Sequence, residues 1–322
     1  GPNIQMKAVL LDWATMGPDL DITELQALLP ELEIYDDTDD DQMAERIAGA
    51  EIVLGNKVML SESLFDSAPN MRFIGLTATG TDNVDLVAAK ERGIAVCNIR
   101  AYCTQSVAEH VFGCLLGLAH KLGDYAADVR QGAWQEADNF CMLTHPIKEL
   151  SAMTLGIIGY GELGKGVANI AKAFNMDAIV AARPGVEEIP EGRVSMDELL
   201  RRADAITLHC PLNDVTRNLF AAAEFAAMKK TAFLINTARG GLVDSQALVD
   251  ALRDGEIAAA AVDVLPQEPP VNGDPLLDYK GDNLMVTPHI AWGTLTARQA
   301  AIDELTANIA AFLDGEERCR VV

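Results

Sequence analysis

Three residues that could do chemistry close three successive apolar runs. Arg239 follows "AFLIN" within "FLINTARGGLVD", Glu268 follows "AAAAVDVL" with Asp263 at the end of that run, and His289 follows "NLMV" in "NLMVTPHIA". In an open α/β sheet the carboxyl ends of the strands face the ligand crevice. A guanidinium delivered there carries a permanent charge and can grip a carboxylate through two parallel hydrogen bonds. Gly240 and Gly241, next in the chain, let the backbone turn away while a ligand comes close. A carboxylate beside an imidazole favours its charged form, and a charged imidazole is a proton donor. An anion clamp, an acid and a proton donor beside a hydride source suffice to reduce a 2-keto acid. Singly, each residue has a plainer reading: Arg239 as a salt bridge at the sheet rim, Glu268 as part of an exposed loop stiffened by Pro266, Pro269 and Pro270, His289 as a structural histidine. Their recurrence at consecutive strand ends is what argues for a site.

The hydride source has its own signature. Gly159, Gly161 and Gly164 form G-x-G-x-x-G between the apolar "LGII" and the helical "KGVANIAKAF". In that context the first glycine permits a tight turn, the second admits a pyrophosphate, and the third allows close helix–strand packing. The helix start offers free N–H groups and the positive end of its dipole. The alternative is a glycine turn in an unrelated α/β protein. The acid expected about 20 residues on, to hold the adenosine ribose, is absent: Ala182 and Arg183 stand there in "VAARPG". Ala182 neither holds a 2′-hydroxyl nor repels a 2′-phosphate, and Arg183 can reach one, so NADP(H) and NAD(H) are both expected as cofactors, with NADPH at least as good. Arg183 stacked on adenine is the competing reading.

Other histidines offer less. Of the five, His110 and His120 fall on or near one helix, His145 in a loop, and His209 ends the run "AITLH", where it could merely cap a strand. No pair has metal-ligand spacing, so no metal is expected.

Composition narrows the class. The chain has 322 residues, is 49% hydrophobic and carries a net charge of −23, enough core for one large or two ordinary domains. That field repels phosphate backbones and anionic membranes, so neither nucleic acid nor membrane is an expected partner, and an anionic substrate needs a local cation. Six cysteines lie scattered without a C-x-x-C pair and read as buried hydrophobes of a reducing, cytoplasmic compartment. Gly1 and Pro2 read as a remnant of processing. The longest apolar stretch, Val111 to Ala119, is flanked by Glu109, His110 and Lys121 and falls short of a span of roughly 20 residues.

The elements that must position these residues alternate strand and helix. "KAVLLD", "AEIVLG", "RFIGLTATG" and "GIAVCN" form a first series, with the helix "ITELQALLP" after the first of them. A long helix of about residues 106–121 and a polar, irregular stretch containing "RQGAWQEADNF" follow. The second series runs through "MTLGIIGYGELG", "AIVAAR", "AITLHCP", "AFLINTARG", "AAAAVDVL" and "NLMVTPHIA", and the chain closes with a helix over 295–313. Such alternation predicts parallel strands and crossover helices. The fold class is therefore α/β, with two doubly wound parallel-sheet domains and a ligand cleft at the mouth between them.

Over essentially its whole length the sequence resembles the D-2-hydroxyacid dehydrogenase family. The matching motifs are "GTDNVD", "SVAEHV", "GYGELG", "HCPL", "NTARGGLVD", "DVLPQEPP" and "TPHIAW". "LLDWATMGP" and "HIAW" are most similar to the glycerate dehydrogenase (hydroxypyruvate reductase) subgroup. The resemblance implies a Rossmann cofactor domain over 102–289 and a flavodoxin-like substrate domain made of 1–101 and 290–322. It implies that Arg239 binds the substrate carboxylate and polarises the keto group, that His289 protonates the carbonyl oxygen, and that Glu268 keeps His289 protonated. It gives Ala78, Thr79 and Gly80 backbone contacts to the substrate carboxylate, and Asp263 a contact with the nicotinamide carboxamide. Glu162, Leu163, Cys210, Pro211, Thr237 and Ala238 would touch the cofactor, as would Thr104. The long helix would join a homodimer. With no regulatory domain after Val322, the long phosphoglycerate dehydrogenases are disfavoured. The expected reaction is reduction of hydroxypyruvate or glyoxylate, and its reverse. The alternatives are another 2-keto acid such as phenylpyruvate or a branched-chain keto acid, or a nucleotide-sensing, corepressor-like binding protein. Formate oxidation fits less well, since it needs no acid–base pair.

Overall fold

The computed structural model describes residues 6–322, so Gly1 and Pro2, the expected processing remnant, lie outside the described residues. Contacts group the described residues into two compact units, 6–103 with Gly293–Val322, and Thr104–Trp292.

In the first unit, β1 (Ala8–Leu10), β2 (Leu32–Ile34), β3 (Ile52–Gly55), β4 (Phe73–Leu76) and β5 (Ala95–Cys97) form a parallel sheet in the order β2-β1-β3-β4-β5. Alternate residues face opposite sides of the pleat. Val9, Val53, Ile74 and Val96 pack with Ile47, Phe65 and Ala88 on one face. Leu10, Leu54 and Phe73 pack with Leu25, Leu305 and Ile309 on the other. Burial on both faces is why these strands read as unbroken apolar runs. Gly75 in β4 has no side chain because Leu305 of the helix Leu295–Leu313 occupies that space: a Cβ there would lie 2.7 Å from Leu305 Cδ1. The last residues pair with β5, Val321 donating to Val96 O at 2.7 Å.

Four of these strands are legible in the sequence and β2 is not. It is three residues long and only partly buried at the sheet edge, so it offers no apolar run to recognise.

In the second unit, β6 (Thr154–Ile158), β7 (Asp177–Val180), β8 (Ala205–Leu208), β9 (Phe233–Asn236), β10 (Ala259–Val262) and β11 (Leu284–Val286) are parallel in the order β11-β10-β9-β8-β6-β7. The chain leaves β6 to one side for β7 and to the other for β8. The point of reversal, at the carboxyl ends of β6 and β8, is where such sheets bind ligands. Val194 makes a single parallel bridge to Ala181, just past β7. The helix Thr104–His120 packs along the helix Glu162–Ala173, with Phe112 stacked on Phe174 at 5.3 Å.

Lys121 has φ 56°, which ends the long helix, and a second helix, Leu122–Arg130, starts at once. The stretch read as irregular is thus partly helical, and it exposes Leu122, Val129, Trp134, Phe140, Leu143 and Ile147. Among the described residues no helix is long and apolar enough to cross a membrane, and no cluster of three or more potential metal ligands occurs.

Candidate active site

All of the cofactor and catalytic residues expected from the sequence within the second unit, Thr104 apart, fall at the carboxyl ends of its one sheet. Gly159 to Gly164 follow β6, Ala182 and Arg183 follow β7, Cys210 and Pro211 follow β8, and Thr237, Ala238 and Arg239 follow β9. Asp263 and Glu268 follow β10, and His289 follows β11. Thr104 opens the helix Thr104–His120.

His289 and Glu268 meet. Nδ1 of His289 lies 2.8 Å from Glu268 Oε1, and Glu268 Oε2 accepts from the Leu265 N–H at 3.2 Å. Partial burial acts to raise the Glu268 carboxyl. The hydrogen bond and charge of His289, the Leu265 N–H and the field of Arg239 together outweigh it and hold the carboxyl below its usual value. Glu268 is therefore an anion at neutral pH, aimed at an imidazole. Arg239 is exposed, and its guanidinium donates to Ala238 O at 2.8 Å. Among the described residues it pairs with no carboxylate within ion-pair distance. The sheet-rim salt bridge considered for it is not found, and the cation is available to an anion from solution.

Two buried polar side chains hold these groups in place, a task that nothing in the sequence assigns to either. Asn236, at the end of β9, donates to Arg239 O at 3.0 Å and accepts from Ala238 N at 3.1 Å, which fixes the turn that carries the arginine. Asp263 is 2% exposed. Its Oδ1 accepts from Thr287 Oγ1 at 2.7 Å and Ile290 N at 2.9 Å, and its Oδ2 accepts from Ala291 N at 2.9 Å. His289 sits between these donors with φ 57°, a left-handed conformation that costs a non-glycine residue energy. Trp292 Nε1 donates to His289 O at 2.8 Å, and Ser106 Oγ to Ala291 O at 2.7 Å. His110 Nε2, read from sequence only as helical, lies 3.3 Å from Thr287 Oγ1. A polar residue closing an apolar strand was the available signal for Asn236 and Asp263; their partners arrive from distant segments.

The residues after β6 and β8 fit a dinucleotide. Gly159 has φ 93°, and a Cβ on it would strike the His209–Cys210 peptide; a Cβ on Gly164 would strike the Gly159 carbonyl. Around Gly161, by contrast, a Cβ would meet nothing within 4 Å, so the backbone is open to a ligand there. The helix Glu162–Ala173 starts from Gly161 without a side-chain cap, which leaves its first N–H groups for an anion. Among the described residues the buried polar side-chain atoms without a hydrogen-bond partner are Thr104 Oγ1, Thr237 Oγ1 and His209 Nδ1 in this unit and Thr77 Oγ1 in the first, and the three in this unit suit a polar ligand. Burial pushes the Cys210 thiol up, which keeps it protonated. In the first unit, Thr79 Oγ1 donates to Ile99 O at 2.7 Å and Asn98 Nδ2 to Thr79 O at 2.9 Å. Those bonds pin the loop, while the N–H groups of Ala78, Thr79 and Gly80 find no acceptor among the described residues.

His209 is neutral. Desolvation lowers its pKa to about 4, and Nε2 lies 2.7 Å from Thr207 Oγ1. An unfolded histidine titrates near 6.5, so the unfolded chain gains a proton that the folded chain refuses. Stability is therefore complete above that value and falls as pH drops toward 4. Between neutral pH and pH ~5 the wild type should lose roughly 2 kcal/mol more unfolding free energy than His209→Gln. Urea titrations of both proteins at the two pH values check this. An identical loss in the two would show that His209 protonates freely in the fold.

The chain matches the profile of the D-isomer specific 2-hydroxyacid dehydrogenase NAD binding domain over residues 112–291. It is 42% identical over 313 residues to a glycerate dehydrogenase of Methylorubrum extorquens, covering 96% of this chain and 97% of that one. It is 38% identical over 317 residues to a hydroxypyruvate reductase of Blautia hydrogenotrophica, covering 96% and 98%. The crystal structure of the TT0316 protein from Thermus thermophilus superposes with a TM-score of 0.86 at 32% identity, over 98% of this chain and 100% of that one. With the glycine fingerprint after β6 and the Arg239, Glu268 and His289 strand ends, these likenesses establish that the chain belongs to the NAD(P)-dependent D-isomer specific 2-hydroxyacid dehydrogenases.

Proposed function

We propose that this enzyme reduces hydroxypyruvate and glyoxylate to D-glycerate and glycolate with NADH or NADPH, and catalyses the reverse. The observation that carries the reading is the 2.8 Å bond between His289 and an ionised Glu268, in the field of Arg239. Arg239 binds the substrate carboxylate and draws electron density toward the keto oxygen. Ala78, Thr79 and Gly80 offer backbone N–H groups to the same carboxylate. When bound, the reduced nicotinamide supplies a hydride to the carbonyl carbon. His289 gives its proton to the carbonyl oxygen, and Glu268 stabilises the imidazolium before that transfer. Thr104, Thr237 and the glycine turn of Gly159, Gly161 and Gly164 hold the cofactor. In this assignment residues 102–289 are the dinucleotide-binding domain, and 1–101 with 290–322 are the substrate domain.

The names of the two relatives favour a small hydroxylated keto acid over phenylpyruvate or a branched-chain keto acid. The intact acid–base pair favours turnover over a corepressor-like role. Six free cysteines suit a reducing, cytoplasmic compartment. The exposed apolar side chains from Leu122 to Ile147, next to the long helix, are proposed to pack against a second copy of the chain.

Kinetics with hydroxypyruvate test the assignment. Replacing Arg239 by Met should lower kcat/KM by a factor corresponding to about 2–5 kcal/mol, the cost of leaving a desolvated charge unpaired. His289→Ala should lose roughly 10²–10⁴-fold in rate with NADH affinity nearly unchanged. Glu268→Gln removes the anion that favours imidazolium, so the alkaline limb of the reduction profile should move to lower pH. Retention of near wild-type kcat/KM by the Arg239 variant, or an unshifted profile in Glu268→Gln, contradicts these roles. For the assembly, light scattering should give twice 34.5 kDa, falling to the single-chain mass when Phe140 and Leu143 are both changed to Asp. A single-chain mass for the wild type would rule the dimer out.

A further inference from the structure

We propose that Arg193, together with Arg183 and Lys165, forms a receptor for the 2′-phosphate of NADP(H), and that Arg193 sets a preference for NADP(H) over NAD(H). The proposal rests on the dinucleotide site alone and not on the identity of the keto acid.

Ala182 is buried and apolar where a carboxylate would otherwise meet the ribose, so nothing there repels a phosphate. Arg183, next in the chain, is exposed. The chain then runs out through a loop and returns. Ala182 N donates to Val194 O at 2.8 Å, and Val194 N to Val180 O at 2.9 Å. That one-residue parallel pairing brings Arg193 back beside the end of β7, ten positions after Arg183 in the sequence. No local pattern in the sequence could have shown it.

Arg193 is also oriented. Its guanidinium carbon sits 4.7 Å from the centre of the Tyr160 ring, and Lys165 Nζ lies 5.9 Å from the centre of the same ring. Tyr160 stands between the first two glycines of the fingerprint, two residues past the end of β6. Two cations thus converge on the turn that receives the pyrophosphate, on the side where β7 ends. The ring holds the guanidinium plane and leaves its N–H edge for an anion. The hydrogen bond found for the Arg193 side chain is a long one, 3.5 Å to Gly192 O.

Charge makes the cluster unusual. In a chain of net charge −23, Arg183, Arg193 and Lys165 have no carboxylate within ion-pair distance among the described residues, although Glu187, Glu188 and Glu191 lie in the same loop. Two cations on one ring, with Arg183 exposed at the neighbouring strand end and none of the three paired to a carboxylate among the described residues, suit a dianionic phosphate, which can take bidentate hydrogen bonds from arginine. An arginine that only stacked on adenine would not discriminate between the two nucleotides.

Calorimetric titration of the full-length protein, without keto acid, tests this with 5′-AMP, 2′,5′-ADP and 3′,5′-ADP. The last carries the same charge as 2′,5′-ADP at the wrong ribose position. The wild type should bind 2′,5′-ADP at least about tenfold more tightly than either of the others, the size expected of one added charge-assisted contact. Arg193→Ala should erase most of that margin with 5′-AMP affinity within about threefold of wild type, and Arg193→Lys should keep part of it. The ratio of kcat/KM for NADPH over NADH should fall in parallel. Equal binding of the three nucleotides by the wild type would overturn the phosphate site. An unchanged margin in Arg193→Ala, with loss only in Arg183→Ala, would overturn the role of Arg193. Because nucleotide binding is read directly, a failure of the hydroxypyruvate assignment leaves this result intact.

Discussion

The position of His289 depends on one buried carboxylate. Asp263 is almost wholly removed from water, and a polar side chain in that setting is tolerated only when hydrogen bonds replace its hydration. All three of its donors come from the segment 287–291, on both sides of His289. Satisfying the carboxylate therefore dictates the path of that segment, including the left-handed backbone at His289, which costs about 1–3 kcal/mol and survives only where the surroundings over-determine it. The imidazole that results faces Glu268. The His289–Glu268 pair, proposed above as the acid–base couple, thus takes its geometry from a side chain that bonds neither the imidazole nor the Glu268 carboxylate.

The same device recurs. In the first unit Asp12, also buried, follows β1, and its carboxylate collects the N–H groups of Asn56, Lys57 and Val58 after β3. Asn236 does the equivalent for the turn carrying Arg239. Apolar strands fill the interior, and a single polar side chain at a strand end gathers the free backbone donors of the next loop. Loops fixed in this way can present charged groups to a ligand without closing on one another. The cofactor side is built differently, by removal of side chains: at Gly159 and Gly164 the backbones of neighbouring segments occupy the space a Cβ would need.

Much of this was legible in the sequence because strands buried on both faces read as continuous apolar runs, and because glycines and charges punctuate their ends. The C-terminal helix was read with its observed bounds, Leu295–Leu313. What escaped lacked a local signal. β2 is three residues at a sheet edge. The helix Leu122–Arg130 is hidden by the break at Lys121, which a composition-based reading takes for the end of helical structure. Asp263 was visible as a charged strand end, yet its hold on the segment 287–291 rests on pairings made across 24 to 28 residues. Arg193 reaches the cofactor turn through one bridge to a strand it does not belong to.

The central claim, that Asp263 positions His289 for Glu268, is tested most directly by a double-mutant cycle on kcat/KM for hydroxypyruvate, with wild type, Asp263→Ala, Glu268→Gln and the double variant, each confirmed folded by circular dichroism. If Asp263 sets the geometry of the pair, its loss already uncouples Glu268, and the double variant should lie within about threefold of Asp263→Ala alone, a large interaction energy for two residues that share no bond. Losses that multiply, so that Glu268→Gln costs as much without Asp263 as with it, would contradict the account.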